Sequence, residues 1–190
     1  MQVLSRVVSK FPKPGAAGRA ALALAALLAA SGCQNDPDEK APQCPTALFP
    51  PDAATITRYD GKGTDLTNLV LSGRMLDVKG ACKGQIGHKV LKARAHVEMQ
   101  LTRGPAFTGR DIDVRYNVAV VKNGQPLEKQ ALVQHVTFPP NVDSVQVTGQ
   151  EVKFTFPTDR GLNGPSYTIY FLFELTPEEL QANQAALRNK

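Results

Sequence analysis

The residues best equipped for chemistry in this sequence are three cysteines, three histidines and 17 acids. Cys33 has the most informative surroundings. It follows an Ala- and Leu-rich run over residues 20–30 and then Ser31-Gly32, with Arg6, Lys10, Lys13 and Arg19 upstream and no acid before Asp36. Basic, then apolar, then small residues is the order of a secretory leader. The apolar run is about half of the ~20 residues that a helix needs to cross a bilayer, so it is too short to span and the right size for a leader core.

Ala30-Ser31-Gly32-Cys33 resembles the lipobox of bacterial lipoproteins, with Ala at a first position where Leu is commoner. The resemblance implies cleavage before Cys33, a thioether-linked diacylglycerol on its sulfur and an amide-linked acyl chain such as palmitate. Two or more chains anchor stably, because each buried CH₂ contributes about 0.8 kcal/mol. Gln34, where Asp would favour retention at the inner membrane, points to the outer membrane, with the protein facing the periplasm. Residues 1–32 are therefore read as a lipoprotein signal peptide. Residues 33–43 are read as lipidated Cys33 and a flexible tether, since 34–43 (QNDPDEKAPQ) is charged and carries no large apolar side chain. A folded domain is expected over 44–190.

The full chain has 22 basic and 17 acidic residues and a pI near 9.2, but four of the bases lie in the leader. After cleavage, 18 bases face 17 acids, a net of +1. That balance gives no nucleic-acid footprint. The lack of Trp and an aromatic content of 6% argue against an aromatic sugar-binding platform. With Cys33 assigned to lipid, Cys44 and Cys82 are left to pair in an oxidising compartment, a bridge expected to stabilise the fold by about 3–4 kcal/mol.

Period-two alternation runs through the rest of the chain. Over 90–101, Leu91, Ala93, Ala95, Val97, Met99 and Leu101 share one face, and Lys92, Arg94, His96, Glu98 and Gln100 share the other. Over 112–121, Val114, Tyr116, Val118 and Val120 point inward, and Asn123-Gly124 predicts a type I′ hairpin turn into a strand over about 127–138. Further strands are expected over 54–59, 66–79 (with a bulge at Gly73), 142–147, 151–156 and 166–175, with a turn at Gly149-Gln150. Thr176-Pro177-Glu178-Glu179 reads as a capping box opening a short helix to about Arg188, with Leu180, Gln184 and Leu187 on one stripe. Seven or eight strands without an intervening long helix predict an all-β antiparallel sandwich, immunoglobulin or fibronectin III-like, with a short C-terminal helix; a closed barrel is the alternative.

Cys44-Pro45, Gly80-Ala81-Cys82, Arg103-Gly104-Pro105, Val118-Ala119-Val120 and Thr176-Pro177-Glu178-Glu179-Leu180 together resemble an uncharacterised family of Gram-negative bacterial lipoproteins, over most of 44–188. The resemblance implies a location and a disulfide, and it adds no catalytic residue.

No constellation for catalysis emerges. His88, His96 and His135 lack the spacing of a structural zinc site, and Asp111 with Asp113 gives too few oxygens for calcium. Gly164-Pro165-Ser166 is not a nucleophile elbow, since Thr168 stands where its last Gly should be. The expectation is a non-enzymatic membrane-anchored lipoprotein with no catalytic residue, metal or cofactor, acting as an envelope-assembly or protein-binding module with an envelope protein partner. A periplasmic lipid or small-ligand carrier, with the aromatic strand 167–173 lining a cavity, is the first alternative, and a hydrolase the second. Candidate binding surfaces are the basic stripe Lys92, Arg94 and His96, which Arg115 joins if its strand pairs alongside, and the loop from Arg103 to Arg110. The plainer reading of the stripe is a solvated strand face that blocks edge-to-edge pairing.

Overall fold

Long strands follow from the long alternating runs. A computed structural model describes residues 43–84, 89–158 and 164–189. The leader, Cys33, the tether up to residue 42 and His88 lie outside the described residues. The strands are β1 (Thr46–Leu48), β2 (Thr55–Tyr59), β3 (Leu69–Gly84), β4 (Val90–Arg103), β5 (Asp111–Lys122), β6 (Gln125–Thr137), β7 (Ser144–Thr148), β8 (Val152–Pro157) and β9 (Tyr167–Phe173), followed by helix α1 (Pro177–Arg188). They form two sheets. The first has the order β1-β9-β5-β6, and the second the order β2-β3-β4-β7 with β8 also paired to β4. Both sheets contribute to one hydrophobic core, so the described residues form an all-β sandwich with one short C-terminal helix.

Nine strands are present among the described residues where seven or eight were expected, and one pairing departs from the antiparallel pattern. The three-residue β1 runs parallel to β9. It is too short to have carried an alternation signal. The Asn123-Gly124 turn is as expected: both residues have positive φ, 49° and 82°, and Lys122 pairs with Gln125.

The expected turn at Gly149-Gln150 is instead an interruption in a single run of chain. β7 pairs with Glu98–Thr102 of β4 and β8 with Val90–Ala95 of the same strand, so the two lie end to end along β4. Between them the Gly149 N–H donates to the Val97 carbonyl at 2.8 Å. The Gln150 N–H donates to the Tyr116 hydroxyl at 2.9 Å, which reaches across the core from the other sheet. A Cβ at position 149 would lie 2.9 Å from that hydroxyl and 3.1 Å from Val97 Cγ1, so the close approach requires glycine. The expected bulge also moves. Gly73 stays in register opposite Leu101 and Ile56, and the shift falls between Met75 and Asp77. Leu76 is the extra residue, and it carries the inward parity from Met75 to Val78.

The inward face of β4 is as the alternation requires. Leu91, Val97, Met99 and Leu101 are fully buried. They meet Val114, Tyr116, Val118 and Val120 of β5 and Tyr167, Ile169, Phe171 and Phe173 of β9. Each such side chain contributes about 1.5–3 kcal/mol on burial. Phe156 of β8 links the sheets, its ring centroid 4.6 Å from that of Tyr167. The aromatic strand expected to line a ligand cavity in the carrier reading thus turns its inward side chains into the core.

Helix α1 has the full capping box, Thr176 accepting from the Glu179 N–H and Glu179 accepting from the Thr176 N–H. It buries no residue. Polar contacts hold it: Arg58 to Glu179 at 3.3 Å, and Asn183 to the carbonyls of Asp52 and Thr55, each at 2.9 Å.

Cys44 and Cys82 form the expected disulfide, with Cα atoms 5.6 Å apart and 38 residues of separation. Cys44 lies two residues before β1 in the first sheet, and Cys82 lies in β3 of the second, so the bridge staples one sheet to the other. Every core residue and both bridged cysteines fall within the unit Ala41–Lys190. That is the anatomy of a domain able to fold alone.

Two outcomes follow for a fragment of residues 41–190. It should unfold cooperatively in urea, and replacing both cysteines by Ser should lower its stability by about 4 kcal/mol, as loop-closure entropy predicts for this separation. Burial holds the Tyr116 phenol above its usual value, with the Gln150 N–H offsetting part of the shift. The unfolded phenol ionises first, so its contribution is intact below about pH 10 and is lost as the pH rises towards the folded-state value. Urea titrations between neutral and alkaline pH should show that Tyr116→Phe removes this part of the alkaline loss and costs about 1 kcal/mol at neutral pH through the missing hydrogen bond.

Candidate functional site

The register of the second sheet decides which charges meet on its outer face. Directly paired residues share a face with Cβ atoms about 5 Å apart. Lys83 of β3 is opposite Lys92 of β4, which is opposite Thr155 of β8. In the next outward row, Ala81, Arg94 and Lys153 stand side by side, and beyond them Lys79 is opposite His96. Two like-charged pairs, Lys83 with Lys92 and Arg94 with Lys153, therefore sit in direct cross-strand positions, an arrangement that destabilises a sheet.

Compensation is partial. Lys79 contacts Glu98 at 2.6 Å, and the hydrogen bond and charge of Glu98 hold its ammonium above the usual lysine value. Arg94 reaches Glu151 at 3.4 Å, and both side chains are exposed, so this pair contributes little. Lys83, Lys92 and Lys153 are exposed and have no ion pair among the described residues. An open depression at this end is lined by Lys83, Lys92, Arg94, Glu151, Lys153 and Thr155. A second depression, lined by Cys44, Cys82 and Arg94 among others, adjoins it. The basic end of the sheet is thus the end that carries the disulfide.

The same outer face changes character along β4. After Asp77 opposite Glu98, it becomes a hydrogen-bonded network with Arg74 as its one cation: Arg74 donates to Gln100 at 2.9 Å, Gln100 to Ser144 at 3.2 Å and Thr102 to Ser144 at 3.0 Å. The outer face of the first sheet differs again, with Leu48, Tyr170, Ala119 and Lys129 in one cross-strand row.

Of the residues singled out from sequence, Lys92, Arg94 and His96 come together as a stripe. Lys83, Lys153 and Lys79 complete the cluster. The alternation of 152–157 puts Lys153 outward, but nothing in the sequence says that β8 pairs with β4. Arg115 does not join, because β5 belongs to the other sheet. Arg103 and Arg110 lie apart from the cluster. Arg103 ends β4, eleven residues or about 36 Å of strand from Lys92. It pairs with Asp143 at 2.8 Å and lies over the Phe138 ring, and Arg110 donates to the Phe138 carbonyl. Both brace the far end of the sandwich.

A second grouping, unseen from sequence, forms where β5 pairs with β6. His135 Nδ1 is 2.8 Å from Asp113 and its Nε2 is 3.8 Å from Asp111, whose carboxylate also accepts from Thr137. The two acids engage opposite sides of the imidazole, so the three groups do not converge on one point. Among the described residues no group of three or more His, Cys, Asp or Glu could hold a metal ion.

No protein family, curated protein or solved structure matches the chain.

If the lysine pair is a cost that the fold carries, relieving it should stabilise the protein. Lys92→Gln should raise the unfolding free energy by roughly 0.2–1 kcal/mol at low salt, and the gain should shrink towards zero in 1 M salt, where charges are screened within about 3 Å. Urea titration at the two ionic strengths measures it.

Proposed function

We propose that the protein is a lipid-anchored lipoprotein of the bacterial cell envelope, held by acyl chains on Cys33 and facing the periplasm, whose sandwich acts as a non-enzymatic binding or assembly module. The observation that carries this reading is Cys33 itself, behind a basic, apolar and then small-residue leader and ahead of a polar stretch. The Cys44–Cys82 bridge supports it. Disulfides persist in exported proteins and are rare in reducing compartments, and this one leaves Cys33 as the single cysteine outside it. No helix among the described residues is long and apolar enough to cross a membrane.

The finer reading of the sandwich is an immunoglobulin or fibronectin III-like arrangement. Its support is the pair of sheets around one core and a first strand set parallel to the last.

Expression in a Gram-negative host with radiolabelled palmitate tests the anchor. The wild-type chain should take up label and fractionate with membranes, and Cys33→Ser should lose both while keeping its disulfide. Label that persists in Cys33→Ser, or its absence from the wild type, would overturn the reading.

A further inference from the structure

We infer that the basic end of the outer β3–β4–β8 face docks on anionic phospholipid headgroups of the membrane that carries the anchor, so that the domain lies against the bilayer in one orientation. This rests on the lipoprotein reading for the source of the membrane, and on the structure for the surface.

Charge is the first argument. Lys83 faces Lys92 and Arg94 faces Lys153 across the strands, and three of the four have no ion pair among the described residues. Two rows of like charge are unfavourable in the free protein and become favourable when an array of negative groups lies over them. The net charge of the cleaved chain is only +1, so attraction to an anionic surface has to come from this local cluster rather than from the whole molecule. Basic side chains at a bilayer surface act in this way when they lie within a Debye length of it, about 8 Å at physiological salt.

Position is the second argument. The chain enters the domain at Cys44, which is bonded to Cys82, the residue next to Lys83. Arg94 lines both the depression at the disulfide and the one beside the lysines. The lysine-rich end is therefore the end at which the chain that follows Cys33 enters the domain. Eleven peptide steps from Cys33 to Cys44 reach at most about 40 Å and average about 18 Å if flexible. A cluster at that end can reach the surface, whereas the Arg74–Gln100–Ser144 end of the same face lies farther along β4 from the point of entry and has no two cations paired across the strands.

The test uses the unacylated fragment 41–190, so it is independent of whether Cys33 carries lipid. Co-sedimentation should show binding to vesicles of one-third phosphatidylglycerol in phosphatidylcholine, little binding to pure phosphatidylcholine, and a steep loss between 50 and 300 mM salt. The pair Lys92→Glu with Lys153→Glu should weaken binding about tenfold or more. The control pair Arg115→Glu with Lys129→Glu makes the same change in net charge on the other sheet and should leave binding within about twofold. Urea midpoints verify that each variant is folded, and the salt series on the wild type reads the same surface without any substitution. Equal binding to both vesicle types, equal loss in the two charge-reversed pairs, or binding of inorganic polyphosphate without binding of vesicles would each overturn the inference. The last outcome would assign the cluster to a soluble polyanion.

Discussion

The register of β4 is the constraint on which the rest depends. Its inward residues fill the centre of the core, and it pairs with three other strands, β3, β7 and β8. A slip of one residue would exchange the faces of a strand. Leu91, Val97, Met99 and Leu101 would then face water, and Lys92, Arg94, His96 and Glu98 would be driven into a core that offers them no partners, at several kcal/mol each. The hydrophobic pattern therefore fixes the core and the outer lattice of charge in one step. The cationic cluster is as firmly placed as the core, although every lysine in it is exposed.

How much of this was legible in the sequence varied with the kind of information each feature uses. The alternation in 90–101 and 112–121 reads directly, because an inward residue at every second position is a local property. Asn123-Gly124 reads for the same reason, since the positive φ values belong to those two residues. The pairing of β8 with β4 does not read, because register between strands some 60 residues apart is set by the packed core and leaves no local mark. That is why Lys92, Arg94 and His96 could be grouped beforehand while Lys153 could not, and why Arg115 fell on the wrong side of the sandwich. Gly149-Gln150 misled for a related reason. Glycine beside a polar residue is a turn signal by itself, but here the Tyr116 hydroxyl occupies the space that a side chain would need, and the chain continues in the same direction.

The disulfide plays two parts at different levels. Energetically it closes a loop and restricts the unfolded chain. Geometrically it fixes the point where the chain enters the sandwich, beside Lys83 and at the end of the second sheet where positive charge gathers. The charge cluster is a local cost to the sheet, and it lies beside the chain's entry rather than scattered over the surface.

Helix α1 is attached on different terms from everything else. It contributes no side chain to the interior, and its hold on the β2 region is an ion pair, two amide contacts from Asn183 and one from Gln184. Such a clasp can open without disturbing the sandwich, so the carboxyl-terminal segment should exchange its amide hydrogens long before the strands do. It is also the natural site for a fused reporter or an engineered attachment, because additions there leave both sheets and the cationic end untouched.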